Sequence, residues 1–364
     1  MPERLTILTL GKHTRLGDIL AYALDGVDFN AVTAEEMKST DLRGRRILFA
    51  LSLDESGLAD DFMCCIRYLR THFQALDGAT GAILVDSATE LYTKEIARTL
   101  VFDANCSGCR FPGRGMVEAT KSLKNFDVLC GVYGVDRYTA YQRAVRLLIE
   151  RLCSDVPAQF ERPKVLWLHA SDKARSNAFA LGSQVTERLA DCCEINEISM
   201  QASPINDCNG CSYKTCQHYA EQETCFYGGI LPEAVFPAIM ACDALLLCCS
   251  NYNDAPGAHF LALNNRLNAL LLRGKPFNKA LFAIVVSGYS GGDLVAKQLM
   301  GGFCLNKPCC LPPRFALLET ANDPGTVLQE MGVFDRIAAY ADQIQQELCI
   351  RETARVPCAE ATPE

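Results

Sequence analysis

The stretch KVLWLHASDKARSNAFALGSQVTERL, residues 164–189, decides the fold. It opens on an apolar run of strand length, Lys164 to Ala170. Beyond a polar loop, Ala178, Leu181, Val185 and Leu189 recur three and four apart, the apolar stripe of a helix. Buried strand, polar loop and amphipathic helix make the repeating unit of a parallel sheet with crossover helices. Downstream the unit recurs, with strands expected at CEINEIS (193–199), DALLLCCS (243–250), LFAIVVS (281–287) and RFALLE (314–319).

Upstream, strands are expected at LTILTL (5–10), VDFNAV (27–32), RILFALSL (46–53), GAILVDS (81–87) and NFDVLCGV (125–132). A closing helix there carries Tyr141, Val145, Leu148 and Leu152 on one face. GAILVDSATELYTKEIARTL pairs with FAIVVSGYSGGDLVAKQL, and CSGCRFPG with NKPCCLPP, which suggests an internal duplication. The expected fold is α/β, two tandem doubly wound parallel sheets in domains 1–155 and 160–348. CSDVPAQFERP (153–163) joins them, and the polar tail 351–364 is expected to be flexible.

Composition narrows the function. The 364 residues are 49% hydrophobic, ample for packed cores. A net charge of -8 without any Lys/Arg run disfavours nucleic acid. No apolar run reaches the ~20 residues of a spanning helix, and the N-terminal run is too short for a signal peptide, so a cytoplasmic protein is expected. In that reducing setting twenty cysteines argue for metal or redox chemistry before disulfides. Cys64-Cys65, Cys192-Cys193, Cys248-Cys249 and Cys309-Cys310 nevertheless lie in or beside apolar segments and read as small buried hydrophobes.

Open parallel sheets bind ligands at the carboxyl ends of their strands. Three such loops stand out. The first offers Ser171, Arg175, Ser176 and Asn177 where a strand runs into a helix, a set suited to a phosphate monoester, although Ser and Asn also serve as plain helix caps. The second holds Ser250, Asn251, Tyr252, Asn253 and Asp254, an aromatic ring among amides that suits a planar heterocycle. The third holds Ser287, Gly288, Tyr289, Ser290, Gly291 and Gly292, whose glycines let backbone approach a ligand.

On these residues the segment 160–345 resembles the NADPH-dependent FMN reductase family of flavodoxin-like folds, including its iron-sulfur flavoprotein branch. The resemblance implies FMN as cofactor, with its phosphate on the first loop at Ser171, Arg175, Ser176 and Asn177. The family's second loop reads Pro-x-Tyr; Ser250-Asn251-Tyr252 keeps the tyrosine and lacks the proline. The third loop matches in its glycines. NAD(P)H is implied as electron donor, with an acceptor, a protein among the candidates, that the sequence does not name. In the first half LSLDESGLADD and VDSATELYTKE follow strands without a comparable phosphate loop, and GKHTRLGD has no Ser or Asn. That half reads as a degenerate copy, expected to bind no flavin and to serve as an internal pseudo-partner, since the family builds its flavin site between two identical subunits. A further homodimer stays open.

CNGCSYKTC, with Cys208, Cys211 and Cys216, followed by Cys225, lies between the second and third strands of the second half, where the iron-sulfur branch carries its cluster ligands. The spacing C-x2-C-x4-C-x8-C is looser than that branch's compact arrangement. A 4Fe-4S cluster, zinc on the same four thiolates, and no metal all stay open. Cys106 and Cys109 form another C-x-x-C, which reads as structural, with a redox role as the lesser reading. The five histidines are scattered, and no catalytic acid-base residue is assigned. The expected activity is an NAD(P)H-dependent FMN oxidoreductase. The rival is a non-catalytic electron carrier or scaffold subunit of a larger redox complex.

Overall fold

In a computed structural model, residues 4–11, 14–202, 204–272 and 278–350 are described. The tail 351–364 lies outside the described residues, as do Lys12 and His13 of GKHTRLGD. The first half forms a sheet of five parallel strands: β1 (Leu5–Leu10), β2 (Phe29–Thr33), β3 (Arg46–Leu53), β4 (Thr80–Ser87) and β5 (Met116–Ala119), in spatial order β2-β1-β3-β4-β5. The second contributes β6 (Lys164–His169), β7 (Glu194–Ser199), β8 (Ala244–Tyr252), β9 (Ala255–Pro256), β10 (Ala280–Ser287) and β11 (Ala316–Thr320). Its parallel strands run β7-β6-β8-β10-β11, while short β9 folds back antiparallel on β8. Counted within its own half, each sheet has the order 2-1-3-4-5, the flavodoxin-like doubly wound topology.

One expectation fails. NFDVLCGV is not a strand: after a short turn it becomes helix Asp127–Tyr133, and the fifth strand is Met116–Ala119. Val128 and Val132 are 77% and 70% exposed while Leu129 and Cys130 pack against the core, the one-sided burial of a helix, and Gly134 ends it in a left-handed cap. The true strand is only four residues long and carries Glu118, so it lacks the continuous apolar run of a buried parallel strand.

The first-half helices are α1 (Thr14–Ala23), α2 (Phe62–Thr71), α3 (Thr93–Cys106), α4 (Asp127–Tyr133) and α5 (Arg137–Ser154). The second half has α6 (Asn177–Leu189), α7 (Tyr213–Glu221), α8 (Phe236–Ala241), α9 (Ala258–Arg266), α10 (Asn268–Leu271), α11 (Gly292–Phe303) and α12 (Val333–Leu348). Among the described residues no helix is long and apolar enough to cross a membrane. Alternation along the strands divides the apolar side chains among three cores. Leu48, Ala50, Ala82 and Leu84 meet α1 and α5 on one face of the first sheet. Leu246, Cys248, Phe282 and Ile284 meet α6 and α12 on one face of the second. The remaining faces share one continuous core, from Phe49 and Ile83 through Phe111 and Leu311 to Leu247 and Val285.

The joint between the halves is nearly symmetric. Residues 80–119 and 280–319 superimpose in role at an offset of 200: Gly81 N–H donates to Arg110 O at 2.8 Å, and Leu281 N–H to Cys310 O at 3.0 Å. Phe111 and Leu311, equivalents under that offset, exchange reciprocal backbone hydrogen bonds of 2.9 and 2.8 Å. A pseudo-twofold axis therefore passes between them. Arg114 and Arg314 even share a left-handed backbone, with φ of 56° and 47°. Asn105 of α3 breaks the symmetry, donating to Cys109 O at 2.9 Å and Pro312 O at 2.7 Å while accepting from Phe315 N–H at 3.1 Å.

Candidate functional site

The loops after β6, β8, β10 and β11 surround a cleft of about 580 Å³. Its first wall is the loop leading into α6. Ser176 is the N-cap, its Oγ accepting from Phe179 N–H at 3.2 Å, so the plain capping role applies to this hydroxyl. Asn177 is 7% exposed and mainly ties α6 to the last strand loop, donating to Ala321 O and Asp323 O at 3.3 and 2.8 Å. Ser171 and Arg175 also line the cleft, and the exposed Arg175 guanidinium has no hydrogen bond or ion pair among the described residues. A free cation beside a helix N-terminus is an anion-binding arrangement.

Beneath this loop lies His169, at the end of β6. Its ring is fully buried between Trp167 and Phe179, at centroid distances of 5.4 and 5.0 Å. Ser171 N–H donates to Nδ1 at 3.4 Å, so the ring proton sits on Nε2 and points to Glu197 Oε1 at 3.1 Å, a carboxylate also held by Lys173. Burial lowers the His169 pKa against the opposing pull of Glu197, keeping the ring neutral. A strand-end His followed two residues later by a loop Ser was the available signal.

The second wall is the hairpin of β8 and β9. Asn253 and Asp254 both have positive φ, 55° and 61°, the two central residues of a type I′ turn. This turn holds Tyr252 at the rim, 59% exposed. Asn251 donates through Nδ2 to Ser287 Oγ at 3.2 Å and Ser290 O at 2.8 Å, while its buried Oδ1 has no partner. The third wall carries Gly288, Tyr289 and Ser290, with Tyr289 82% exposed.

Three expected residues lie off the lining. Ser287 is buried beneath it and accepts from Asn251, while Gly291 and Gly292 start α11. Gly291 has φ 86°, and a Cβ there would stand 2.2 Å from Asp254 Oδ1, so this glycine permits the two loops to touch. Conversely, Asp172, Gln201, Val286, Ala321 and Asn322 line the cleft without having been singled out. Gln201 and Asn322 follow the second and fifth strands, whose loops lack the Ser-Gly-Tyr density that marked the others. The cleft continues into a neighbouring cavity of about 460 Å³ through shared Ser171, Ser250 and Tyr252, where His259 lies with its pKa lowered by burial.

Cys208, Cys211, Cys216 and Cys225 surround a single cavity of about 320 Å³ below α7, together with Tyr213, Tyr219 and Phe226. The Cys216 thiol is pushed up by burial and then by Cys225, Cys208 and Cys211. No three of them come within 4.8 Å of one another. A tetrahedral zinc at ~2.3 Å would draw its sulfurs to roughly 3.8 Å. Arg266 of α9, 3% exposed, anchors the loop through Asn206 O and Gly228 O at 3.0 Å each and keeps an unpartnered Nε at the cavity. Four thiols around a wide cavity with a buried guanidinium suit an anionic group several ångström across. Cys106 and Cys109 behave structurally: Cys109 is fully buried, a Cβ on Gly81 would lie 2.8 Å from its sulfur, and burial pushes Cys106 up to about 11.

No curated protein matches the chain. Similar solved structures include RosB with a bound 8-demethyl-8-formylriboflavin-5'-phosphate intermediate, at 12% identity, 56% of this chain, 96% of that chain and TM-score 0.39. An apo NADH:FMN oxidoreductase (EMOB) is 13% identical over 53% of this chain and 94% of its own, with TM-score 0.36. A WrbA-like flavodoxin from Agrobacterium tumefaciens is 12% identical over 51% and 99%, with TM-score 0.33. Residues 163–323 match the family described as NADPH-dependent FMN reductase.

Proposed function

We propose that the protein is an NAD(P)H-dependent flavin oxidoreductase whose domain 160–348 binds FMN in the strand-end cleft, with domain 1–155 as its non-binding internal partner. The observation that carries this reading is the coincidence, in the lining of one cleft, of an Arg175 unpaired among the described residues at the start of α6, an orphaned Asn251 Oδ1 and two exposed tyrosine rings. These are the complements of a phosphate, of a ring N–H and of a planar heterocycle. Bound there, FMN supplies hydride acceptance from a nicotinamide and onward release of electrons. Arg175 and the first-turn amides of α6 hold the phosphate; Ser171, Ser176 and Asn177 shape its loop. Asn251 accepts from the ring edge, Tyr252 and Tyr289 cover the ring and exclude water, and Ser250, Asn253, Asp254, Gly288 and Ser290 complete the rim. Ser287, Gly291 and Gly292 act beneath, holding Asn251 and the loop-to-loop contact in place. The adjoining cavity leaves room for the nicotinamide beside the ring.

In the same reading Cys208, Cys211, Cys216 and Cys225 hold an iron-sulfur cluster that relays electrons to the acceptor, and Arg266 offsets its negative charge. The cavity's width supports this over zinc.

The test is anaerobic purification of the full chain with flavin, iron, sulfide and zinc analysis. FMN is expected on release. Arg175→Ala is expected to remove a charge-assisted contact of about 1.5–3 kcal/mol, roughly ten- to a hundredfold in flavin Kd; unchanged FMN retention would take Arg175 out of the site. Consumption of NAD(P)H with an artificial acceptor distinguishes the reductase from a carrier reduced only by a partner. Single Ser substitutions at the four cysteines are expected to lower iron and sulfide together; zinc in their place would rewrite the loop as a zinc site.

A further inference from the structure

Away from the cleft and the cysteine loop, the described residues hold one group of metal-ligating atoms all within 4.8 Å of one another: the sulfurs of Cys192, Cys193 and Cys349. Cys192 and Cys193 occupy the turn from α6 to β7, with sulfurs 3.6 Å apart. Cys349 follows the last turn of α12, where Phe160 bridges to it in parallel, Phe160 N–H donating to Leu348 O at 2.8 Å and Ile350 N–H to Phe160 O at 3.0 Å. Both sides are anchored by backbone hydrogen bonds of 2.8 Å, Cys193 N–H to Leu189 O and Cys349 N–H to Gln345 O. The thiols are thus presented by two helix ends brought together by the fold. Cys193 and Cys349 are 1% and 8% exposed, and Cys192 is half-buried.

We propose that Cys192, Cys193 and Cys349 form a binding site for a three-coordinate thiophilic centre of the arsenic(III) or copper(I) class. A pyramidal arsenic(III) at ~2.3 Å from each sulfur sets the sulfurs roughly 3.5 Å apart, and a planar copper(I) at the same distance roughly 4 Å; sulfurs all within 4.8 Å of one another accommodate either with little movement. No fourth Cys, His, Asp or Glu joins the group within that distance among the described residues, so a tetrahedral zinc lacks its last protein ligand. Charge separates the two candidates. The site sits at the edge of the apolar core between α6 and α12, where net charge is costly. Arsenous acid and three thiols give a neutral tris-thiolate and three waters: three As–O bonds become As–S bonds, each S–H proton leaves with a hydroxyl, and no oxidation state changes. Three thiolates around copper(I) would leave two negative charges. Arsenic(III) is therefore the favoured occupant, and its binding staples the end of α6 to the end of α12.

The experiment uses the reduced full chain with Cys208, Cys211, Cys216 and Cys225 all replaced by Ser, so that the loop thiols do not compete. After incubation with sodium arsenite and desalting, about one arsenic per chain should remain by mass spectrometry, with a raised Tm, because a ligand that binds only the native state stabilises it. Cys349→Ala and, separately, the more exposed Cys192→Ala should each weaken retention by at least the roughly 10–100-fold that lesser ligand-site changes cost. Far-UV circular dichroism checks that each variant is folded, and in the wild-type background Cys349→Ala should lower arsenic content by the same increment. A parallel arm with copper(I) against a bathocuproine competitor identifies the occupant: copper retained and arsenite not, with loss in Cys349→Ala, keeps the three-thiol site and reassigns its ion. Retention of neither ion, retention in both variants undiminished from that of the parent protein, or tight zinc binding that needs these cysteines would overturn the proposal.

Discussion

The two halves place the same topology around opposite solutions at their strand ends. In the first, the loops are tied to one another. Arg15 of α1 forks onto Asp86 at 2.8 and 2.9 Å, and reaches Ser87 O at 2.9 Å, Thr120 O at 3.3 Å and Lys121 O at 3.1 Å. Tyr141 adds its hydroxyl to Asp86 at 3.0 Å. Glu90 accepts from Ser122 N–H and Oγ at 2.8 and 3.0 Å, and Tyr92 lies so close over Gly57 that a Cβ there would stand 2.1 Å from its ring. In the second half the corresponding groups are left unspent: Arg175 is unpaired among the described residues, Tyr252 and Tyr289 are exposed, and Val286, at the position equivalent to Asp86, lines the cleft. A strand-end cleft in this fold has polar groups that need partners, supplied either by the chain or by a ligand. Asp86 and Arg15 close the first copy of this topology from within.

The sharpest way to break this comparison is Arg15→Ala. It strands a carboxylate that is 1% exposed, and removing one partner of a buried pair costs about 3–5 kcal/mol. Urea denaturation is the measurement; a loss below about 1 kcal/mol, the scale of an exposed pair, would mean that Arg15 does not lock these loops. Next in size is Asn105→Ala at the pseudo-twofold joint, which leaves Phe315 N–H and Pro312 O without this partner. A cost of about 2–3 kcal/mol is expected from buried groups left unsatisfied. Limited proteolysis should find new cuts near residues 105–115 and 305–315; a wild-type digestion pattern would show that the halves do not depend on it. On the open side, Tyr289→Ala should leave the unfolding midpoint unchanged, the ring being 82% exposed, and weaken FMN binding by about 0.5–1.5 kcal/mol, a few-fold in Kd. Equal flavin affinity with and without the ring would remove it from the cofactor's cover.

The smallest expected effect is a pH dependence. The folded-state pKa of His169 lies below the unfolded value near 6.5, because burial disfavours the cation. Its contribution to stability is therefore complete above about pH 6.5 and lost as pH falls through the folded value, where the unfolded chain binds the extra proton. Unfolding midpoints at successive pH values between 7.5 and 5 should fall less steeply for His169→Asn than for the wild type. Parallel curves would assign the dependence to other groups.

Much of this architecture was legible because buried parallel strands are continuous apolar runs and their crossover helices carry one apolar stripe. RILFALSL coincides with β3 residue for residue, and Ala178, Leu181, Val185 and Leu189 all face the core. NFDVLCGV misled because an exposed apolar helix and a buried strand look alike over eight residues, whereas MVEA was too short and polar to stand out. The three strand-end loops were legible from their Ser, Asn, Gly and Tyr content; their division of labour was not. Ser176 caps, Asn177 ties loops and Gly291 makes room, while Arg175 and Asn251 keep unmet polar groups.

Taken alone, the sequence determined the α/β class, the repeat of one topology and the family likeness of residues 163–323, because periodicity and loop composition are local properties of the chain. Tertiary structure alone decided what is satisfied and what is left open. Arg15 finds Asp86 across 71 residues, Asn105 finds Phe315 across 210, and Cys349 arrives beside Cys192 and Cys193 from the far end of the second half. Whether a guanidinium, an amide or a thiol is a structural tie or a free ligand depends on partners distant in the chain, and only the packed fold brings those partners within hydrogen-bonding distance.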